Sequence, residues 1–591
     1  MTDQQPMLLA SYDAGDCSLE RLKQLGFTVF QYDTDHLSTD EAAPGVWDFG
    51  RNGWGGGGKY ERIYERIRAQ GGQWMLMTHF AWPPEWYRRT RRYTRLACLE
   101  HRQTCEAFSI WDPEAVRYLD RGYGALRAHF GNSREVIWGF YVGVHGDYGE
   151  AMFPAYYRIQ AGLKDDWLEH FEDLHNHLGF WCGDELAQRD FRNRMLERYG
   201  GLPALNAAWG TGYARGEAVA YPIFGMDSRR HYLDFVRWYL DSMVRYTAAH
   251  LESLARHFPE QLKLVPLGAE SEDVRIGQDY SALVKRCGEL GAQVRSTHGG
   301  FYPFDRNAVS QLAHIGSACK HYGVPFWTEP QSGISPAGQV GRIFEALCLG
   351  SSAFWDWPRN LEDPAVAAVL RQYRHLLVRD MPLVESALLF PQTDHYLHPT
   401  RGFPQRYARL GARTRSLIHS DVVDERMIAD GALERYRFLI HLEGSVFEAE
   451  TLERIGAWVR RGGVLALLVE RDLETVEGDA GLAAGLLGLD SVPLDGVPHG
   501  VGQGFVLAQR YEPEGEEAYL ARLRGLLYRD PPTGMPARGL DTGNERVFGL
   551  LYPDGRAYLY NMDGAEQRVT VAGRCVAVPP AAIVGCGPLP L

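Results

Sequence analysis

Three carboxylates in this chain stand where acid–base or nucleophilic work is possible. Glu329 closes the apolar run Pro325-Phe-Trp-Thr-Glu329, just before a loop rich in Gly, Pro and Ser over 330–338. Trp327, Trp355 and Trp357 lie close to it in the pattern. Asp147 and Glu150 fall in the stretch Val144-His-Gly-Asp-Tyr-Gly-Glu150-Ala-Met-Phe-Pro154, with His145 and Tyr148 as polar neighbours. Gly143, Gly146 and Gly149 there permit close backbone approach or positive φ. Two carboxyl groups across one pocket can cleave a glycosidic bond: one protonates the leaving oxygen, the other attacks the sugar or activates water. Each alone has an equally ordinary reading as a solvated acid at a strand end, and large aromatics are more often core than platform.

The elements that must position these groups alternate strand and helix. Strands are expected at Met7–Tyr12, Phe27–Tyr32, Trp74–Phe80, Glu135–Val144, Leu262–Gly268, Gln293–Thr297, Pro325–Glu329 and Ala353–Trp357. Eight strand–helix steps predict a (β/α)8 barrel, with a long insertion over Phe153–Tyr221. Its working face is the carboxyl end of the strands. Glu150 and Asp147 then follow the fourth strand and Glu329 the seventh. His79 ends the third strand and His298 follows the sixth. With Asp147, Tyr148, Trp327, Trp355 and Trp357, these two histidines are the candidate substrate contacts. Glu270, Glu272 and Asp273 follow the fifth strand, and Asp33 and Asp35 the second. The WGGGG loop at Gly53–Gly58 lacks the Gly-Lys-Ser/Thr of a phosphate loop and reads as a plain loop.

Composition narrows the class. With 591 residues the chain is too long for one core. A net charge of -13 argues against nucleic acid or an anionic membrane surface as partner. The 15 tryptophans and 31 tyrosines suit a carbohydrate partner. The nine cysteines are scattered without a CxxC pair, so neither disulfides nor zinc are signalled, and no metal or cofactor is expected. No leader pattern or apolar run of about 18 residues occurs, so a cytoplasmic location is the expectation.

Beyond about residue 380 the pattern restarts. Ser386–Pro391, Tyr436–Glu443 and Gly462–Val469 read as strands, with an amphipathic helix over Thr451–Arg461. They predict an open parallel α/β domain over 381–530 with no phosphate loop. Glu474–Val501 reads as loops. Short strands after 531, with a Pro553-Asp-Gly turn, predict a small antiparallel β domain.

These residues resemble glycoside hydrolase family 42, the β-galactosidase-like enzymes, over most of the chain. The carrying segments are WMLMTHFAWPPEWY (74–87), Leu205-Asn-Ala-Ala-Trp-Gly-Thr211, Glu329-Pro-Gln-Ser-Gly and Ala353–Trp357. The resemblance implies that Glu329 is the nucleophile of a retaining double displacement. It also implies that 381–530 is an amidotransferase-like trimerisation domain, hence a homotrimer. The fourth strand departs from the family: Asn-Glu-Tyr-Gly is absent, and aligning on Tyr-Gly puts Gly146 for the Asn and Asp147 for the acid. The same segment is similar to the β-amylase run VGLGPAGELRYPSY, which places the acid on Glu150. The longer agreement favours Glu150, with Asp147 on a sugar hydroxyl.

The expectation is therefore an exo-acting, β-galactosidase-like glycoside hydrolase. The alternatives are an inverting, β-amylase-like hydrolase of α-glucans and a catalytically inactive sugar-binding protein on the same fold. The sugar and the linkage are not legible in these residues.

Overall fold

The computed structural model describes residues 5–12, 19–31, 41–49, 60–132, 134–146, 149–153, 177–268, 273–297, 311–329, 333–398 and 403–589. Asp33, Asp35, the glycine loop at 53–58, Asp147, Tyr148, Glu270, Glu272 and His298 lie outside these residues.

Eight parallel strands close a barrel: β1 (Leu8–Tyr12), β2 (Val29–Gln31), β3 (Gln73–His79), β4 (Ile137–Gly143), β5 (Leu262–Leu267), β6 (Gln293–Ser296), β7 (Phe326–Thr328) and β8 (Ala353–Asp356). Each is followed on the outside by a helix: α1 (Leu19–Gln24), α2 (Tyr60–Gln70), α3 (Pro113–Phe130), α4 (Arg229–His257), α5 (Tyr280–Glu289), α6 (Ala313–Tyr322), α7 (Pro336–Cys348) and α8 (Pro364–Tyr373). The helix starts are written in the sequence. Asp112 caps α3 by accepting from Glu114 N, with Pro113 in the first turn, and Ser335 caps α7 by accepting from Gly338 N. Strand side chains alternate, so every second one points inward. Ala10, Val29, Met75, Met77, Tyr141, Leu264, Trp327, Ala353 and Trp355 fill the barrel.

The Leu205–Thr211 motif holds the insertion between β4 and α4. The helix Leu202–Trp209 ends on left-handed Gly210. Asn206 clasps the turn beyond it: its Oδ1 accepts from Thr211 Oγ1 at 2.8 Å and Tyr213 N at 3.0 Å, and its Nδ2 donates to Tyr213 O at 2.9 Å. Trp209 stacks on His231 with ring centres 3.8 Å apart and donates to buried Asp234 on α4 at 2.8 Å. The motif thus locks helix to helix and carries no reacting group.

A second sheet of six strands follows: β9 (Ser386–Leu389), β10 (Ser420–Val423), β11 (Phe438–His441), β12 (Val464–Val469), β13 (Asp495–Val501) and β14 (Gly504–Arg510), in the order β10-β9-β11-β12-β14-β13. Five are parallel. The edge strand β13 runs antiparallel to β14, a departure from the expected parallel sheet. The expected loops over Glu474–Val501 also give way to a helix at Ala480–Leu487 and to β13, because Asp479 caps the helix through Leu482 N. The C-terminal β-strands β15 (Val547–Leu551), β16 (Ala557–Asn561), β17 (Gln567–Val571), β18 (Arg574–Val578) and β19 (Ala582–Gly585) make a three-stranded and a two-stranded antiparallel sheet. The second sheet and the barrel are tied by ion pairs: Lys320–Asp421 at 2.7 Å, His314–Asp424 at 2.8 Å, Arg415–Glu345 at 2.8 Å, and Glu448 held by Arg230 and Arg237. No helix among the described residues is long and apolar enough to cross a membrane.

Candidate active site

Glu329 is the first residue beyond β7, and only 3% of its surface is exposed. Alternation along the strand puts it on the inward face with Trp327, leaving Thr328 outside. The barrel supplies its partner: Arg295 Nη2 on β6 lies 2.9 Å from Glu329 Oε2. The same guanidinium donates to Tyr141 Oη at 2.8 Å and to Gln31 Oε1 at 3.2 Å. It is sandwiched between rings, with its central carbon 4.3 Å from the Tyr141 centroid and 4.6 Å from that of Trp355.

The segment beyond Glu329 returns to the described residues at Gly333. There Gly333 N and Ile334 N donate to Asn360 Oδ1 at 2.7 and 3.1 Å. Asn360 in turn donates to Asp356 Oδ1 at the end of β8, 2.9 Å away, and Gln339 of α7 donates to Asp356 Oδ2 at 2.7 Å. Burial raises Asp356 to about 6 despite these donors. A second buried guanidinium, Arg342, stands on α7; burial lowers it to about 10, countered by the charges of Glu345, Asp356 and Glu329.

The turn after β4 places Glu150. Val144 N donates to Gly149 O at 2.8 Å and Gly149 N to Gly146 O at 3.0 Å, and the Glu150 carbonyl accepts from Gly146 N at 2.9 Å and Met152 N at 2.8 Å. Gly149 has φ +90°, and a Cβ there would sit 2.7 Å from Gly143 Cα, so only glycine serves. Gly146 matters differently. A Cβ on it would lie 2.9 Å from Glu150 Oε2 and 2.8 Å from Met152 Cγ. The Glu150 carboxylate therefore occupies the space that any side chain at 146 would take. Glu150 is buried, and like Glu329 it acts electrostatically on Tyr141. Burial, chiefly, and the two carboxylates push the Tyr141 phenol well above its ordinary value, with Arg295 opposing. Tyr141 thus lies in the field of both carboxylates.

The other expected contacts divide. His79, at the end of β3, is buried and pairs with Gly143 in register. Trp357 is half-buried and packs over the interior cluster at the rim. Trp355 lies under Arg295 inside the barrel. Trp327 does not face the mouth: its indole donates to Gln293 Oε1 at 2.6 Å, and its ring lies 6.1 Å from Trp138, both at the starts of their strands. Its expected role as a sugar contact is corrected to that of a plug at the amino end of the barrel. His145 is buried on Phe108 O at 3.0 Å, and burial lowers it to about 4, so it is neutral and holds the turn from behind. Asp273 is spent on Arg275, in contacts of 2.9 and 2.8 Å. Asp147, Tyr148 and His298 fall outside the described residues.

Arg295, Tyr141 and Gln31 were not anticipated. The available signal was an arginine in the middle of a central strand, in Gln-Val-Arg-Ser, where only an inward partner can accommodate it. Among the described residues, one cluster could hold a metal ion: the ligand atoms of Cys98, His101 and His177 all lie within 4.8 Å of one another. Sulfur and imidazole donors suit zinc. The expectation of no metal rested on cysteine spacing alone, which cannot register two histidines, one of them 76 residues beyond the other.

This barrel, followed by an open α/β sheet and a small β sheet, has the fold of solved β-galactosidases. In particular, the chain superposes on a GH42 β-galactosidase from G. stearothermophilus with a TM-score of 0.70 at 14% identity, covering 98% of each chain. The catalytic domain of a β-amylase from Paenibacillus polymyxa matches at a TM-score of 0.50 and 15% identity, over 63% of this chain and 98% of that one. In sequence, a thermophilic β-amylase from Thermoanaerobacterium thermosulfurigenes is 24% identical over 171 residues, which span 28% of this chain and 29% of the amylase. No protein-family model matches.

Proposed function

We propose that the protein is a glycoside hydrolase of the β-galactosidase type that acts on carbohydrate ends by retaining double displacement. Glu329 is the nucleophile and Glu150 the acid, then the base. The observation that carries this reading is that two buried carboxylates follow the carboxyl ends of β4 and β7 and both act electrostatically on Tyr141. In the first step Glu329 attacks the anomeric carbon while Glu150 protonates the departing oxygen; in the second Glu150 takes a proton from water and the ester to Glu329 breaks. Asp147, Tyr148, His79, His298 and Trp357 line the sugar site in this reading. The likeness to solved β-galactosidases over 98% of the chain, second sheet included, supports it; a homotrimer built through residues 381–530 is proposed with it, on the sequence resemblance alone.

The β-amylase likeness favours a second reading, an inverting hydrolase of α-glucans in which Glu329 activates water. Proton NMR of the first-formed sugar from a nitrophenyl glycoside panel, read before mutarotation, decides between them. Retention is expected, with the carboxyl groups about 5–5.5 Å apart; the inverted anomer and a gap of about 6.5–9.5 Å would reassign Glu329 as a general base. Light scattering should give three times 66.6 kDa; a monomer would refute the trimer.

A further inference from the structure

A basic patch stands on the working face of an otherwise acidic chain. We propose that Arg91 and Arg92 bind sulfate or carboxylate groups on the leaving-group side of the substrate, so that the glycan cleaved is an anionic one. The proposal rests on the glycosidase reading above.

Between Glu85 and Arg95 the chain carries five arginines, at 88, 89, 91, 92 and 95, against one glutamate. The protein as a whole has a net charge of -13, so this local excess runs against it. Three of the five have acids beside them: Arg89 pairs with Glu85, and Glu106 lies 3.7 Å from Arg88 and 3.2 Å from Arg95. Arg91 and Arg92 are exposed, and neither side chain has a partner among the described residues. Arginine presents a planar fork of donors that fits the paired oxygens of a sulfate or carboxylate.

Topology places the patch. It belongs to the connection from β3 to α3, and such connections stand at the carboxyl ends of the strands, which Glu150 and Glu329 follow. Trp86 Nε1 ties it to Glu41 O of the β2–α2 connection at 2.8 Å. Arg95 begins a short strand, Arg95–Ala97, and stands opposite Phe108 in an antiparallel pair. Phe108 O accepts from His145 Nε2 at 3.0 Å, and His145 N donates to Glu150 O at 3.3 Å. The basic segment is therefore linked, through one strand pair and one imidazole, to the turn of the acid. An exo-acting enzyme holds one sugar in its pocket, and its acid protonates the oxygen of everything beyond the cleaved bond. The rest of the glycan thus leaves the pocket on the side of Glu150. Anionic groups along it meet the patch there, and the patch draws such a chain in from solution.

The test is affinity electrophoresis of the whole protein in native gels that contain a sulfated galactan, polygalacturonate or an uncharged galactan. Retardation by the first or the second is expected, which names sulfate or carboxylate as the group recognised, and added salt should abolish it. Arg91→Ser/Arg92→Ser should weaken that binding about tenfold and leave hydrolysis of the best nitrophenyl glycoside unchanged. Arg568→Ser/Arg574→Ser removes the same charge from exposed positions on β17 and β18 and should bind like the unaltered protein. No retardation by either polyanion, equal retardation by the uncharged galactan, or equal weakening in the two double variants would overturn the proposal. So would a lower molar mass of Arg91→Ser/Arg92→Ser in light scattering, which would assign the pair to a contact between copies of the chain. Absence of turnover of every glycoside by the unaltered protein would remove the glycosidase reading, and the substrate claim with it, even where the gels show binding.

Discussion

The barrel and the second sheet use the same parallel strand–helix repeat, yet they place buried charge differently. In the second sheet the central strand β12 buries all six residues, Val-Leu-Ala-Leu-Leu-Val, and the core around it is apolar. Its own acids are buried too, but they pair across the seam with α6 of the barrel, Asp421 with Lys320 and Asp424 with His314. The barrel instead keeps Arg295 and Glu329 inside its ring of strands. A buried ion pair seldom adds net stability over a packed apolar core. Buried pairs occur in both regions, but only the one inside the barrel lies among the candidate catalytic groups.

That contrast can be broken by substitution. The largest effect is expected at Glu329. Glu329→Gln should lower kcat by about five orders of magnitude, some 7 kcal/mol, with the fold unchanged by circular dichroism. Asp424→Asn, its counterpart in the buried seam of the second sheet, should leave kcat within about twofold and cost stability instead. Comparable losses of activity in both would erase the distinction.

Next comes the acid. Glu150→Ala should slow glycosides with poor leaving groups by about a hundredfold to ten-thousandfold, retain activity on dinitrophenyl glycosides, and respond to added azide. If Asp147→Ala behaves this way and Glu150→Ala does not, the acid belongs to Asp147.

A smaller loss is expected from Gly146→Ala. Its Cβ would lie 2.9 Å from Glu150 Oε2, so the carboxylate must shift. A displacement of this size costs about a hundredfold in kcat with little change in melting temperature. Unchanged kinetics would show that Glu150 does not act from this position.

The smallest effect lies at the seam between the two regions. Burial pushes Glu448 up, but Arg230 and Arg237 outweigh it and hold it at about 2, below its usual 4.5. A carboxyl depressed by folding contributes fully above its unfolded value and loses its contribution as pH falls through the folded one. The seam should therefore weaken between pH 4.5 and about 2. Glu448→Gln should cost about 2 kcal/mol at neutral pH and flatten that slope in acid unfolding curves. A slope identical in the two proteins would contradict it.

Much of this was legible because periodicity survives in each barrel strand. The eight strands lie within a residue or two of their expected positions, and Glu329 follows β7 as the pattern required. What was hidden depended on contacts distant in sequence. Arg295 meets Gln31 across 264 residues and Tyr141 across 154, and no local pattern encodes such pairings. Trp327 misled because its neighbours in sequence suggest a rim, whereas its hydrogen bond to Gln293 draws the ring to the opposite end. The edge strand β13 was missed because Val497, Pro498 and His499 show no clean alternation: one face of that strand meets solvent and a bulge breaks its register.

The competition for space at Gly146 constrains how such a site can change over evolutionary time. A side chain at 146 and the carboxylate of Glu150 claim one volume, so they are mutually exclusive tenants of the turn. A chain with an asparagine before its acid and a chain with its acid here cannot be joined by one viable substitution. Introducing Gly146→Asn first displaces the Glu150 carboxylate; removing Glu150 first leaves Asp147 as the segment's remaining carboxylate. The two positions should therefore show epistasis: Gly146→Asn harmful in the present chain and less harmful once Glu150 is already alanine, with Met152 still opposing it.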